Sequence, residues 1–319
     1  MKKINLRINE KTIVYWIVIA VIINIIYFCV AYPETLKPEP NSLARDFSAY
    51  YIGAWRLLHN PTQIYSGMAQ PGDYQILPQA QTFKYTPSSL ILFTPFLLVS
   101  YPNAMITFSF LQFALLPLLA FFVYKLTKDK NPIIGSIVAV IILIEPLPVP
   151  PLFSSTMGLL NYGTVGLNVP SLAPSYFIGY VVVNAHILQT ILLIGAFYFG
   201  SIKKPWISAL LFAFSAFDPR ASVFALPLLL WYNRQKIIQF ISGSTFFLAV
   251  TNIPFFFYYN IGLTFLQTGT SGDIASQMYS YDWLPLYVIL ALTIMEIITY
   301  GSTKPLTKLG NLRTELSSQ

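Results

Sequence analysis

Charge is scarce in this chain: Asp, Glu, Lys and Arg make up 10% of its 319 residues, whereas 55% are apolar. A water-soluble domain carries about a quarter charged residues, so the composition excludes an ordinary soluble globule. Cysteine is nearly absent as well. The single Cys29 excludes an intramolecular disulfide and any zinc or iron–sulfur site built on several thiolates. The two histidines, His59 and His186, stand too far apart for an HExxH pair or a His cluster. No two of the 12 acidic residues form a D-x-D pair, and no internal repeat of the kind common in transporter folds is visible. Nothing here calls for a metal or a cofactor. Proline and glycine, 23 and 16 residues, are near their usual share, which excludes collagen-like or low-complexity architecture.

What the chain has in abundance is long apolar runs. The first covers residues 13–32 and follows Lys2, Lys3, Arg7 and Lys11. As a helix it would reach about 30 Å, the hydrocarbon thickness of a bilayer. It lacks a small-residue cleavage site, so it reads as a retained anchor with a cytoplasmic N-terminus. Further runs cover residues 103–124, 132–144, about 180–199, 205–217, 221–232, 237–258 and 283–300, making eight in all. If each crosses once, 14 of the 19 Lys and Arg residues fall on the N-terminal side, and the C-terminus is cytoplasmic too. Residues 86–100 are also apolar but too short to span and interrupted by Pro87 and Pro95, so they are expected along the outer surface. The runs flanking Asp218 to Arg220 are short and read as two abbreviated crossings or a re-entrant hairpin. The formal charge of +7 then belongs to an inner face that meets anionic headgroups, with membrane lipids and not nucleic acid as its partner. The expected architecture is a single polytopic all-α membrane domain, 1–319, of about eight transmembrane helices in the cell membrane. Its outer loop with juxtamembrane helices spans 33–102.

Within that loop, residues 42–60 show helical periodicity before Pro61 ends it. Phe47, Tyr51, Ala54 and Leu58 share one face, and Asp46, Tyr50 and Gly53 a neighbouring stripe. An amphipathic helix rich in Tyr and Trp is expected in the headgroup layer, with the Asp46 carboxylate near its positive N-terminal end. Asp46 equally suits a helix N-cap, although no Glu or Gln three residues on completes a capping box. His59 suits the last helical carbonyls or a substrate contact. Arg45 and Arg56 read as lipid-phosphate or surface contacts.

The stretch 45–65, RDFSAYYIGAWRLLHNPTQIY, resembles the D-x-x-x-Y-x-x-A-x-x-x-L-x-x-G-x-x-x-Y signature of glycosyltransferase family 87. These are polyprenyl-phosphate-mannose-dependent mannosyltransferases of the C-type membrane fold. Phe83-Lys-Tyr-Thr-Pro87 is similar to the family's F-x-Y-P-P segment, and Asn184 to the second residue of its G-N pair, with Val183 in place of the Gly. Residues 215–231 are similar to its short helix pair with a basic tip, here Arg220, where the family usually has Lys, and with Pro227 in the second helix. The likeness extends over about 45–236.

The resemblance implies transfer of a hexose, mannose by family likeness, from a polyprenyl-phosphate donor to a lipid- or glycan-linked acceptor at the outer face. A phosphate leaves as an anion and needs no general acid, so one carboxylate suffices for a single inverting displacement. The resemblance makes Asp46 that base. Fixed positive charge receives the phosphate: Arg220 with a bidentate fork and Lys84 as a second point charge. Each has a plainer reading, Arg220 as the partner of Asp218 and Lys84 as a snorkelling lysine. Tyr50 and Tyr85 are expected to line a sugar cleft or an interfacial belt. Asn184, His186 and Gln189 are expected to contact substrate or to hydrogen-bond between helices. Two rival readings are a lipid-linked-saccharide flippase or secondary transporter, and a non-catalytic subunit of a membrane glycosylation complex.

Overall fold

Helices alone build the described part of the chain, with no strand among the described residues. The structure, a computed structural model, describes residues 45–66, 83, 85–128, 185–269 and 284–303, and Tyr15, Val18, Ile19 and Ile22 of the first apolar run. Those four are helical, exposed and spaced to share one face. The rest of that run, the run 132–144 and the loop residues 33–44, 67–82, 145–179 and 270–283 lie outside the described residues.

The elements in chain order are α1 (Arg45–His59), α2 (Ser89–Phe93), α3 (Tyr101–Thr127), α4 (His186–Ser201), α5 (Pro205–Ser215), α6 (Pro219–Tyr232), α7 (Ile237–Phe257), α8 (Ile261–Gly269) and α9 (Leu284–Thr303). Prolines start α5 and α6 because a first-turn residue needs no N–H donor. A short 3-10 helix, Thr94–Leu98, continues α2 from Pro95. Together they are too short to span, in keeping with the surface reading of residues 86–100.

Two helices are long and apolar enough to cross a bilayer: α3, and Arg234–Phe257, which contains α7. Only 38% and 22% of their most apolar windows are buried, whereas a soluble core helix buries most of its surface. Ile238, Ile241, Phe246, Val250, Ile253 and Phe257 of α7 are all at least half exposed. At 11 residues, α5 rises about 16 Å, well under a hydrocarbon thickness.

Around α4 pack α3, α5, α6 and α9, and α5 packs in turn on α7. These contacts form one core, centred on Leu119, Val123, Ile187, Ile194, Phe197 and Leu229. The Gln112 Oε1 of α3 accepts the Leu188 N–H at 2.9 Å, satisfying one of the donors that the first turn of α4 leaves open.

A second core gathers α1, residues 83–93, the start of α3, the α5–α6 turn and the ends of α7 and α8. Here one expectation is corrected. Residues 47–54 of α1 are all buried, Arg56 is 1% exposed and Leu58 is 58% exposed. The helix is therefore embedded nearly all round, with its apolar face rotated away from Leu58, because residues 83–98 cover the side expected to face headgroups. Gly53 makes that cover possible: a Cβ there would lie 2.6 Å from the Phe83 ring. Gly53→Ala is expected to destabilise the fold, since overpacking costs about 1–3 kcal/mol against about 1 kcal/mol of helix propensity gained. A lower unfolding midpoint in detergent checks this.

Candidate functional site around helix α1 and the α5–α6 turn

Asp46 is the second residue of α1, inside the first turn, where the helix dipole favours a carboxylate. This position differs from the cap reading. One turn on, Tyr50 points into the second core at 1% exposure. Its ring stacks on Tyr85 at 4.2 Å and on Phe93 at 4.1 Å, and meets Phe217 edge-on at 6.3 Å. Both ring faces are thus covered by protein. The Tyr50 ring fastens α1 to the segments that carry Tyr85, Phe93 and Phe217. Tyr85 is 5% exposed, and its carbonyl accepts the Tyr65 hydroxyl at 2.9 Å. Burial holds the Tyr65 phenol well above its ordinary pKa, so it remains a neutral donor.

The α5–α6 turn is bound to the segment after Tyr85. The Thr86 N–H donates to the Phe217 carbonyl at 3.0 Å, and its hydroxyl lies 3.3 and 3.2 Å from the Ala216 and Phe217 carbonyls. From the other side, Gln189 Nε2 donates to the carbonyls of Ser215 at 3.0 Å and Asp218 at 2.6 Å. The Ser222 hydroxyl adds a bond of 3.0 Å to the Ser215 carbonyl. Gln189 thereby fulfils the helix-to-helix reading. Phe217 and Asp218 are buried, at 2% and 5% exposure, so this part of the turn is enclosed by protein. Arg220 follows as the second residue of α6, where the dipole already raises the positive potential.

Beside the turn lies an apolar cavity of about 280 Å³, walled by Thr86, Pro87, Ala216, Pro219, Leu248, Phe256 and Phe265 among others. Tyr259 and Asn260, at φ 49° and 53°, turn the chain so that α8 folds back on α7 and closes one wall.

Three sequence-distant segments therefore meet: the first turns of α1, residues 83–88 and the α5–α6 turn. The side chains of Asp46, Arg220 and His186, together with Lys84 and Asn184, lie outside the described residues. His59 is not part of this meeting. It is exposed, with its ring stacked on Trp55 at 4.6 Å and Nδ1 2.9 Å from the Trp55 carbonyl, which matches the helix-end reading. Arg56 is corrected. Its Nη1 donates to the Gln63 and Ser66 carbonyls at 3.0 and 2.9 Å, making it an internal strut for the chain leaving α1. Sequence reasoning missed Phe217, Phe93 and Thr86. Their only signal was that Thr86 and Phe217 lie within the quoted stretches 83–87 and 215–231.

Among the described residues, no group of three His, Cys, Asp or Glu side chains gathers in metal-binding proximity. No family model matches the chain, and no curated protein or solved structure is found similar to it.

Proposed function

We propose that the chain is a multi-pass membrane glycosyltransferase of the C-type fold. Its eight helices would cross the cell membrane, with both termini in the cytoplasm. It moves a hexose, mannose on the family resemblance, from a polyprenyl phosphate to a lipid- or glycan-linked acceptor at the outer face. The observation that carries this reading is the seating of Tyr50 against Tyr85 and Phe217. That contact joins the three stretches in which the motif residues Asp46, Lys84 and Arg220 occur. The exposed apolar faces of α3 and α7 support the membrane setting, and the apolar cavity beside Pro219 suits the first part of a prenyl chain.

In the reaction, the Asp46 carboxylate takes the proton of the acceptor hydroxyl as that oxygen attacks the anomeric carbon. The bond from that carbon to the donor phosphate oxygen breaks, and polyprenyl phosphate departs with the electron pair. Arg220, as a planar fork, and Lys84, as a point charge, stabilise the departing anion. The configuration inverts in this single displacement.

The test is incubation of the purified protein in lipid with radiolabelled polyprenyl-phosphate-mannose and a membrane lipid extract, with and without chelator. A labelled product formed equally in both is expected. Loss of transfer on chelation overturns the metal-free mechanism, and absence of product from every extract overturns the transferase reading.

A further inference from the structure

Gln189 lies in the first turns of α4 and is 2% exposed. Its one amide nitrogen reaches two carbonyls 26 and 29 positions further along the chain, those of Ser215 at 3.0 Å and Asp218 at 2.6 Å. These two atoms bracket the reversal between α5 and α6. The carbonyls between them, of Ala216 and Phe217, face Thr86. All four carbonyls of the turn are therefore met by donors from outside it.

Three features set the Gln189 contact apart from a bond between two packed helices. First, α5 and α6 both pack on α4 but hardly on each other, so the direction in which α6 leaves the turn depends on how α4 holds it. Second, the point of attachment on α4 is itself fixed. Gln112 of α3 accepts the N–H of Leu188, the residue before Gln189, at 2.9 Å. Third, a methionine would fill the same space without the desolvation of an amide. What the amide adds is direction, because its two hydrogens diverge in one plane and set where both carbonyls lie.

The side chain that follows this turn is Arg220, the second residue of α6. Pro219, between them, has no N–H with which to tie the turn from within. We propose that Gln189 is a positioning residue for the donor phosphate, fixing the α5–α6 turn so that Arg220 is held where polyprenyl phosphate is received. The inference rests on the donor role proposed for Arg220, and Gln189 acts through that residue and not on the phosphate itself. A guanidinium fork needs orientation as well as charge, so a turn free to shift keeps the cation and loses part of its binding.

The test uses the full chain in detergent, offered polyprenyl phosphate or, as the phosphate-free control, polyprenol, with retained lipid counted by native mass spectrometry. Gln189→Met keeps the length of the side chain and removes both donors. It is expected to lower retention of polyprenyl phosphate about tenfold and to leave that of polyprenol unchanged. Arg220→Gln is expected to lower it by a similar factor. In the Arg220→Gln background, Gln189→Met should change retention by less than about twofold, because the group it positions is gone, while it lowers the unfolding midpoint equally in both backgrounds. A purely structural glutamine gives the same loss of retention with and without Arg220, and that result overturns the proposal. So does unchanged retention in Gln189→Met, or equal retention of polyprenyl phosphate and polyprenol by the unsubstituted chain. If Gln189→Met does not fold, Gln189→Asn, whose amide is one bond shorter, carries the same comparison with a smaller loss, about threefold. The transfer reading fails separately: the coupled pattern of retention in a protein that makes no labelled product supports the role of Gln189 and removes only the reaction, whereas product formed by a protein with uncoupled variants removes only the role of Gln189.

Discussion

Asp46→Asn is expected to lower the transfer rate by about two to four orders of magnitude, with folding and donor binding retained. The substitution keeps the shape of the side chain and removes only its ability to take a proton. Its cost to the fold is confined to the loss of a favourable charge in the first turn of α1, about 0.3–1 kcal/mol. An initial-rate assay with labelled donor, alongside the unfolding midpoint and a donor-binding measurement, separates these quantities. A transporter or scaffold would carry its function through Asp46→Asn nearly unchanged, so retained turnover would remove Asp46 from the mechanism. Asp46→Ala is expected to match Asp46→Asn in rate. A much larger defect in Asp46→Ala than in Asp46→Asn would mean that the side chain acts by shape or hydrogen bonding and not as a base.

The proposal for Asp46 depends on a part of the fold that was partly legible in the sequence. Helical periodicity and Pro61 located α1 to within a few residues, and the apolar runs anticipated α3, α5, α6, α7 and α9 with small differences at their ends. The rotation of α1 was not legible. Leu58 and Arg56 have the composition of a buried and an exposed residue respectively, yet their places are exchanged. The exchange arises because the chain turns back after Asn60 and offers its carbonyls at residues 63 and 66 to the Arg56 guanidinium. That return is a tertiary event, and no local pattern encodes it. The docking of Thr86 on the carbonyls of residues 216 and 217 bridges about 130 positions, its N–H and hydroxyl meeting backbone acceptors that every sequence supplies alike. Motif order hinted that the two stretches belong together, but hydrogen bonds to carbonyls leave no signature in residue type.

The same long-range contact makes Tyr50 the position whose truncation should cost the fold most. Its ring is stacked on two aromatic neighbours and edge-on to Phe217, and removing a fully buried aromatic side chain costs about 3–5 kcal/mol. Aromatic pairing alone contributes roughly 0.5–1.5 kcal/mol per pair beyond area burial. Thr86→Val should cost less, about 1 kcal/mol for each net hydrogen bond lost, since the Thr86 N–H would still reach the Phe217 carbonyl. Tyr50→Ala is therefore expected to lower the unfolding midpoint sharply and to reduce turnover by loosening α1 from the α5–α6 turn. Tyr50→Phe, which preserves the stacked ring, is expected to retain most of the stability. The pair of variants decides between packing and substrate contact. If Tyr50 served the sugar directly, Tyr50→Ala would raise KM at nearly unchanged stability; a packing residue gives a large stability loss that Tyr50→Phe mostly restores.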